Sequence, residues 1–164
     1  MNVPDRWLIA LTFATTIGAG LIAGVFFAFS TFVMKALSRL PAPDAVAAMQ
    51  SINIVVINPI FLGVFLTTTA ACAVLALFAL LRWPKPATGF LLTGALLYLI
   101  GTFAVTIFCN VPLNNTLGKL TPSAADAASY WSHYLSRWTM WNHIRTLSAA
   151  LALASFILAL RTLR

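Results

Sequence analysis

The sequence predicts an all-α fold: a four-helix transmembrane bundle with a short interfacial helix between spans 1 and 2 and a long fourth helix extending beyond the bilayer. Three observations predict it. Hydrophobic residues make up 61% of the chain and charged residues 8%, against roughly 45–50% and about 25% in soluble proteins. Four apolar runs, at about residues 7–34, 57–82, 87–109 and 138–161, each approach or exceed the ~20 residues that carry a helix across ~30 Å of hydrocarbon. From Ala124 to Arg164 there is neither glycine nor proline, so the last helix can run well past the thickness of a bilayer. Residues 1–164 read as one integral-membrane domain.

The first run greatly exceeds the apolar region of a signal peptide, about 7–15 residues, and reads as an uncleaved anchor. It carries Thr16, Gly20, Gly24 and Ala28 at four-residue spacing, a small-residue stripe that lets another helix approach closely. A neighbouring span is the simplest occupant of that stripe; a homo-oligomer packed through Gly20 and Gly24 is the other. Pro41 and Pro43 end the pattern, and Asp44 suits the start of a short amphipathic segment through Ala45, Ala48, Met49 and Ile52. Asn58-Pro59 opens the second span, proline being tolerated in a first helical turn. Arg82, Trp83, Pro84, Lys85 and Pro86 form a tight basic turn. The third span has a polar line through Tyr98, Thr102, Thr106 and Asn110, near one helical face. The segment Asn110 to Asn115, with Pro112 inside it, is expected to break this helix, and a new one can start at Ser123.

Charge excludes several functions. The formal charge is +7, but the ten cations are spread along the chain at the ends of apolar runs. That is the pattern of interfacial anchors and topology signals, so the expected partners are the lipid bilayer and a hydrophobic small molecule, with no nucleic acid. Counting the cations that flank the runs tips the expected orientation toward both termini in the cytoplasm, and the expected location is a bacterial inner membrane. There is no glutamate, and the only aspartates are Asp5, Asp44 and Asp126. A carboxylate-bridged di-metal site and an intramembrane carboxylate relay are thereby excluded. Cys72 and Cys109 fall at different membrane depths and read as small packing residues.

The most informative stretch is Trp131 to Arg145, WSHYLSRWTMWNHIR, which holds three tryptophans, a tyrosine, both histidines and two arginines. A helix that only crossed a bilayer would not need Asn142, His143 and Arg145 at its mouth, because polar and ionisable groups in a membrane are costly and usually functional. Alternation of four spans brings Ser30 and Lys35, Asn53 and Asn58, and Asn110 and Asn114 to the same face as Trp138, Trp141, Asn142, His143 and Arg145. At ~100° per residue, Trp131, Tyr134, Trp138, Trp141, Asn142 and Arg145 share one broad stripe, and His143 points roughly opposite. An aromatic belt at the membrane interface is the bland alternative for the tryptophans. No metal site is expected, since two histidines ten residues apart without nearby Cys or Glu do not match zinc-ligand spacing. Haem is a minor alternative, because an iron could take one histidine although no C-x-x-C-H is present.

The chain resembles the anthrone oxygenase-like family of small four-span membrane proteins. The matching pieces are FFAFSTFVMKAL (Phe26 to Leu37), AMQSIN (Ala48 to Asn53), Asn58-Pro59, CNVPLN (Cys109 to Asn114) and W-x2-Y-x3-W-x2-WNHIRT (Trp131 to Thr146). They follow the chain in order over nearly its whole length. The resemblance implies oxidation of a tricyclic anthrone to an anthraquinone by molecular oxygen as co-substrate, with no cofactor expected. Such a site would need a base, donors for a developing oxyanion and a dry aromatic cavity. The residues expected to serve are His143 as base, histidine being the side chain that titrates near neutral pH, with Asn110, Asn114 and Asn142 as oxyanion donors and Arg145 as electrostatic stabiliser. Trp131, Tyr134, Trp138 and Trp141 would stack on a flat polycycle, with Asn58, Ser30 and Lys35 completing the substrate surface. If His143 faces away, Asn142 and Arg145 with a bound water are the fallback. The expected function is therefore a membrane-embedded, cofactor-independent oxygenase acting on a hydrophobic polycyclic phenol or anthrone-like substrate. The alternatives are a non-catalytic protein that binds or transports a lipid or quinone-like ligand, and a structural helper beside a larger membrane complex.

Overall fold

A computed structural model describes residues 3–163, apart from the side chains of residues 3–5, 86 and 125. Arg164 and the Asp5 carboxylate, both counted in the charge pattern above, lie outside the described residues. Helix α1 covers 3–37, winding as α-helix over Val3–Ala28, as π-helix over Phe29–Val33 and as α-helix again over Met34–Leu37. Helix α2 is Ala42–Val55 and α3 is Pro59–Leu81. Helix α4 covers 86–117: α-helix over Pro86–Leu96, π-helix over Leu97–Ala104 and Thr106–Asn110, and α-helix over Val111–Leu117. Helix α5 is Ala125–Thr162. Helices α1, α3, α4 and α5 are each long and apolar enough to cross a membrane. The chain is an all-helical, four-span integral membrane protein.

Local chemistry sets the boundaries. Pro41, extended at φ −51° and ψ 142°, starts α2, and Asp44 in its first turn suits the positive end of the helix. Asn58 caps α3: its Oδ1 accepts from the Ile60 and Phe61 amides at 3.1 and 3.0 Å, and its Nδ2 donates to the Val55 carbonyl. Helix α5 has 38 residues, about 57 Å at 1.5 Å per residue, so it outruns the hydrocarbon as its lack of helix breakers foretold.

The third span departs from expectation. Pro112 does not end α4, which continues to Leu117. A proline removes one backbone donor and crowds the carbonyl four residues back. Here the preceding turns, Thr106–Asn110, are already wound with i→i−5 bonds, so the α-helical ladder is interrupted where Pro112 would have broken it.

The core has two parts. In the bundle, Leu8, Ile22, Phe65, Leu75, Leu91, Tyr98 and Phe156 are buried together. At the mouth, α2 lies across the bundle and buries Val46 and Met49 against Met34, Leu117, Trp131, Tyr134 and Trp138. Gln50 ties α2 to the end of α4, donating to the Leu117 and Leu120 carbonyls, each at 2.9 Å. Because lipid is as apolar as leucine, close packing must hold such helices together. A Cβ on Gly94 would stand 2.8 Å from the Phe156 ring, and Gly101 is pressed against Ser148; α4 and α5 meet through these gaps. Of the two glycines in the stripe of α1, Gly20 faces Leu153 of α5, whereas a Cβ at Gly24 would meet nothing within 4 Å. Phe13, Leu21, Phe27, Leu77, Phe108 and Leu147 are exposed around the outside, where acyl chains would meet them.

Candidate functional site

Residues from all five helices line a partly open cavity of about 270 Å³ below the mouth, close to the lower end of small-molecule pockets (roughly 300–1,000 Å³). Its walls are apolar and aromatic: Phe26 and Phe29 from α1, Met49 and Ile52 from α2, Phe61 and Phe65 from α3, and Phe103 and Ile107 from α4. Its polar groups are Asn53 of α2, Thr106 and Asn114 of α4, and Trp138 and Arg145 of α5. A wider vestibule of about 800 Å³, bordered by Gln50, Asn115 and Lys119, adjoins it and shares Asn53, Ile57, Val111 and Asn114 with it.

Arg145 is the charged residue of the cavity and is only 4% exposed. Its guanidinium lies over the Phe26 ring, with Cζ 4.1 Å from the centroid, and 5.0 Å from the Trp138 ring. The ring faces offset part of the cost of burying a cation. One terminal nitrogen, Nη2, donates to Asn142 Oδ1 at 2.7 Å, Nη1 reaches Thr106 Oγ1 at 3.4 Å, and Nε has no partner. Asn142 stands three residues before Arg145, on the same helical face. Its Nδ2 donates to the Phe26 carbonyl at 2.7 Å and to Ser30 Oγ at 2.8 Å. Ser30 in turn shares a 2.9 Å hydrogen bond with Thr146.

The π-helical turns put these partners in place. The turn at Phe29–Val33 begins just past Phe26, whose carbonyl bonds Asn142, and includes Ser30. Those of α4 present Thr102, Thr106 and Asn110 toward α5: Thr102 Oγ1 approaches the Arg145 carbonyl at 3.4 Å, and Asn110 Nδ2 donates to the Trp138 carbonyl at 3.2 Å. Asn110 is fully buried with its Oδ1 unpartnered, but it supports Trp138 from behind and does not line the cavity. Asn114 does line it, and its Oδ1 accepts from Tyr134 Oη at 2.9 Å and from Trp138 Nε1 at 2.8 Å. Trp131, Tyr134 and Trp138 form a stacked series, with centroids 5.6 and 6.2 Å apart.

Other residues expected at the site stand elsewhere. His143 follows Asn142 by one residue, about 100° around the helix, and lies on the outer side of α5. There it borders a separate groove with Lys35, Ser30 and Thr139. Trp141 is half-buried and lines neither chamber. Asn58 spends its side chain on capping α3 and is likewise no wall residue. Among the described residues no three His, Cys, Asp or Glu side chains come together as metal ligands would.

Sequence reasoning had placed Asn53 at this face and Thr106 on the third span's polar line without giving either a role, and had left out the phenylalanines. Asn53 and Thr106 carried a signal, one in the AMQSIN segment and the other in the polar line of the third span. The cavity phenylalanines carried none, because a phenylalanine facing lipid, such as Phe108, looks the same in a sequence.

Comparison with known proteins agrees with this architecture. The anthrone oxygenase family profile matches residues 60–155, more than half of the chain, and that stretch contains Thr106, Asn110, Asn114, Trp138, Asn142 and Arg145. No curated protein and no solved structure gives a match. On the profile match, the chain belongs to the anthrone oxygenase family.

Proposed function

We propose that this protein is a membrane-embedded oxygenase that converts a hydrophobic anthrone or related polycyclic phenol to the quinone with molecular oxygen. The observation that carries the reading is the cavity itself: an aromatic slot lined by all four spans, with one cation in its wall. In the reaction the ring methylene loses two hydrogens and gains one oxygen atom. The second oxygen atom leaves with those hydrogens as water, so no outside reductant is needed. The ligand anion is electron-rich enough to pass an electron to oxygen, and recombination of the two radicals forms the new C–O bond. Arg145 would stabilise negative charge first on the ligand and then on reduced oxygen, with electrostatics strengthened by the apolar walls. Trp138, Phe26 and Phe29 would hold the flat rings, and Asn53 and Asn114 would receive its oxygen substituents.

The reading uses oxygen as co-substrate and calls for no cofactor. We propose a bacterial inner membrane as its location, with both termini in the cytoplasm on the flanking cations. The test is oxygen uptake by the detergent-purified protein supplied with emodin anthrone, with metal and haem assayed on the same sample. Uptake above the spontaneous rate, with one atom from labelled oxygen in the quinone, is expected for the native protein and lost in Arg145→Met. Ligand binding with no uptake would replace the oxygenase by a carrier of a quinone-like molecule.

A further inference from the structure

Resting on the oxygenase reading, we propose that the protein takes its substrate already ionised, as a phenolate or enolate formed in water, and that Arg145 selects the anion. Three observations support this.

The first is unfilled hydrogen-bonding capacity at a buried cation. A guanidinium has five N–H donors. Here one is taken by Asn142 Oδ1 at 2.7 Å, one makes a long approach to Thr106 at 3.4 Å, and Nε is unpartnered. Nη1 and Nη2 each keep a second N–H in this cavity-wall guanidinium, and an anionic oxygen fills such donors well.

The second is the missing countercharge. Asp44 and Asp126 are exposed, and no carboxylate borders the cavity among the described residues. An unpaired buried cation is costly, and the Phe26 and Trp138 faces offset that cost only in part. A monoanionic ligand supplies the charge that the chain omits, whereas a neutral ligand would desolvate the arginine further.

The third is that no base lines the chamber. Among the described residues its polar groups are two asparagines, a threonine, an indole and the arginine, and none accepts a proton near neutral pH. Both histidines lie elsewhere, His133 exposed and His143 on the outer groove. The ionisable neighbours of Arg145 are Tyr134 on its own helix and Cys109 on α4; the walls contributed by α1, α2 and α3 have none. The proton is therefore lost before binding: the O–H bond of the phenolic tautomer breaks in water, solvent takes the proton, and the electron pair stays on oxygen. The vestibule suits that order, since it opens at the mouth with exposed Lys119 on its border and leads to the cavity through shared walls.

The experiment is anaerobic binding to the detergent-purified full chain, followed by quenching of tryptophan fluorescence. Two phenols of one ring shape are compared, one acidified by ring substituents so that their own pKa values differ by about two units. Apparent affinity should fall about tenfold for each pH unit below the pKa of each ligand, because only the ionised fraction binds. The two curves should then be displaced by the difference between the ligands. Coincident curves would mean that a protein group titrates instead, and equal affinity for the neutral form would mean that charge is not selected; either overturns the proposal. Arg145→Met should lose at least about tenfold of the preference for an anthraquinone carboxylate over its carboxamide, while retained carboxamide binding shows that the variant is folded. Anion-selective binding with no oxygen uptake in air sinks the oxygenase reading alone. Uptake in air with binding that follows a protein group sinks only the present inference.

Discussion

Asn142 presents its oxygen to the Arg145 guanidinium at 2.7 Å and its nitrogen to the Phe26 carbonyl at 2.7 Å. One neutral amide thus fixes a buried cation and joins α5 to α1, without cancelling the charge. A carboxylate in its place would pair with Arg145 and remove the field that an anionic ligand needs. Asn142→Asp is therefore expected to lower affinity for an anionic quinone by tenfold or more, while Asn142→Leu destabilises by about 3 kcal/mol through the unpartnered groups it leaves. Ligand titration and thermal unfolding in one detergent separate the two effects. An Asp variant that binds as tightly as the native protein would argue against Arg145 as the anion site.

The stripe Trp131, Tyr134, Trp138, Asn142 and Arg145 was legible because its spacing of three and four residues is helical and because polar residues stand out in an apolar run. The same rule showed His143 facing away. What was hidden is tertiary. Phe26, Phe61, Phe65 and Phe103 face the cavity while Phe13, Phe27 and Phe108 face outward, and runs apolar on every side have no period to tell them apart. The π-helical turns were equally hidden, since no residue type encodes them. Pro112 consequently read as the end of a helix that in fact continues to Leu117.

Helix contact predicts a contrast between two glycines. A Cβ at Gly94 would meet the Phe156 ring at 2.8 Å, whereas one at Gly63 would meet nothing within 4 Å. Gly94→Val is expected to lower stability by about 2 kcal/mol or more, as overpacked cores do. Gly63→Ala should be neutral or slightly stabilising, since alanine is the better helix former. Thermal unfolding checks both, and equal effects would mean that α4 and α5 do not approach as described.

His143 supplies the sharpest division between a base inside the cavity and none. It borders the outer groove with Lys35 and Thr139, so His143→Ala is expected to keep oxygen uptake within about twofold of the native rate, because no residue of that groove lines the chamber. A loss of a hundredfold or more, the scale of general-base catalysis, would return the histidine to the reaction and require the helix to turn or distort.

Asn114 is the hinge of the aromatic wall. Its oxygen accepts from Tyr134 and Trp138 together, at 2.9 and 2.8 Å, so one substitution leaves two hydrogen-bond donors unpartnered. Asn114→Ala is expected to cost about 3 kcal/mol in stability and to free the Trp138 ring, which stands 5.0 Å from the Arg145 guanidinium. Ligand affinity should fall for neutral and anionic quinones alike, because the loosened surface stacks on the rings and not on the charge. Arg145→Met, by contrast, should weaken only the anionic ligand. Measuring both ligands on both variants separates the stacking wall from the charge, and an Asn114→Ala variant that discriminates by charge alone would place this asparagine beside Arg145 in function.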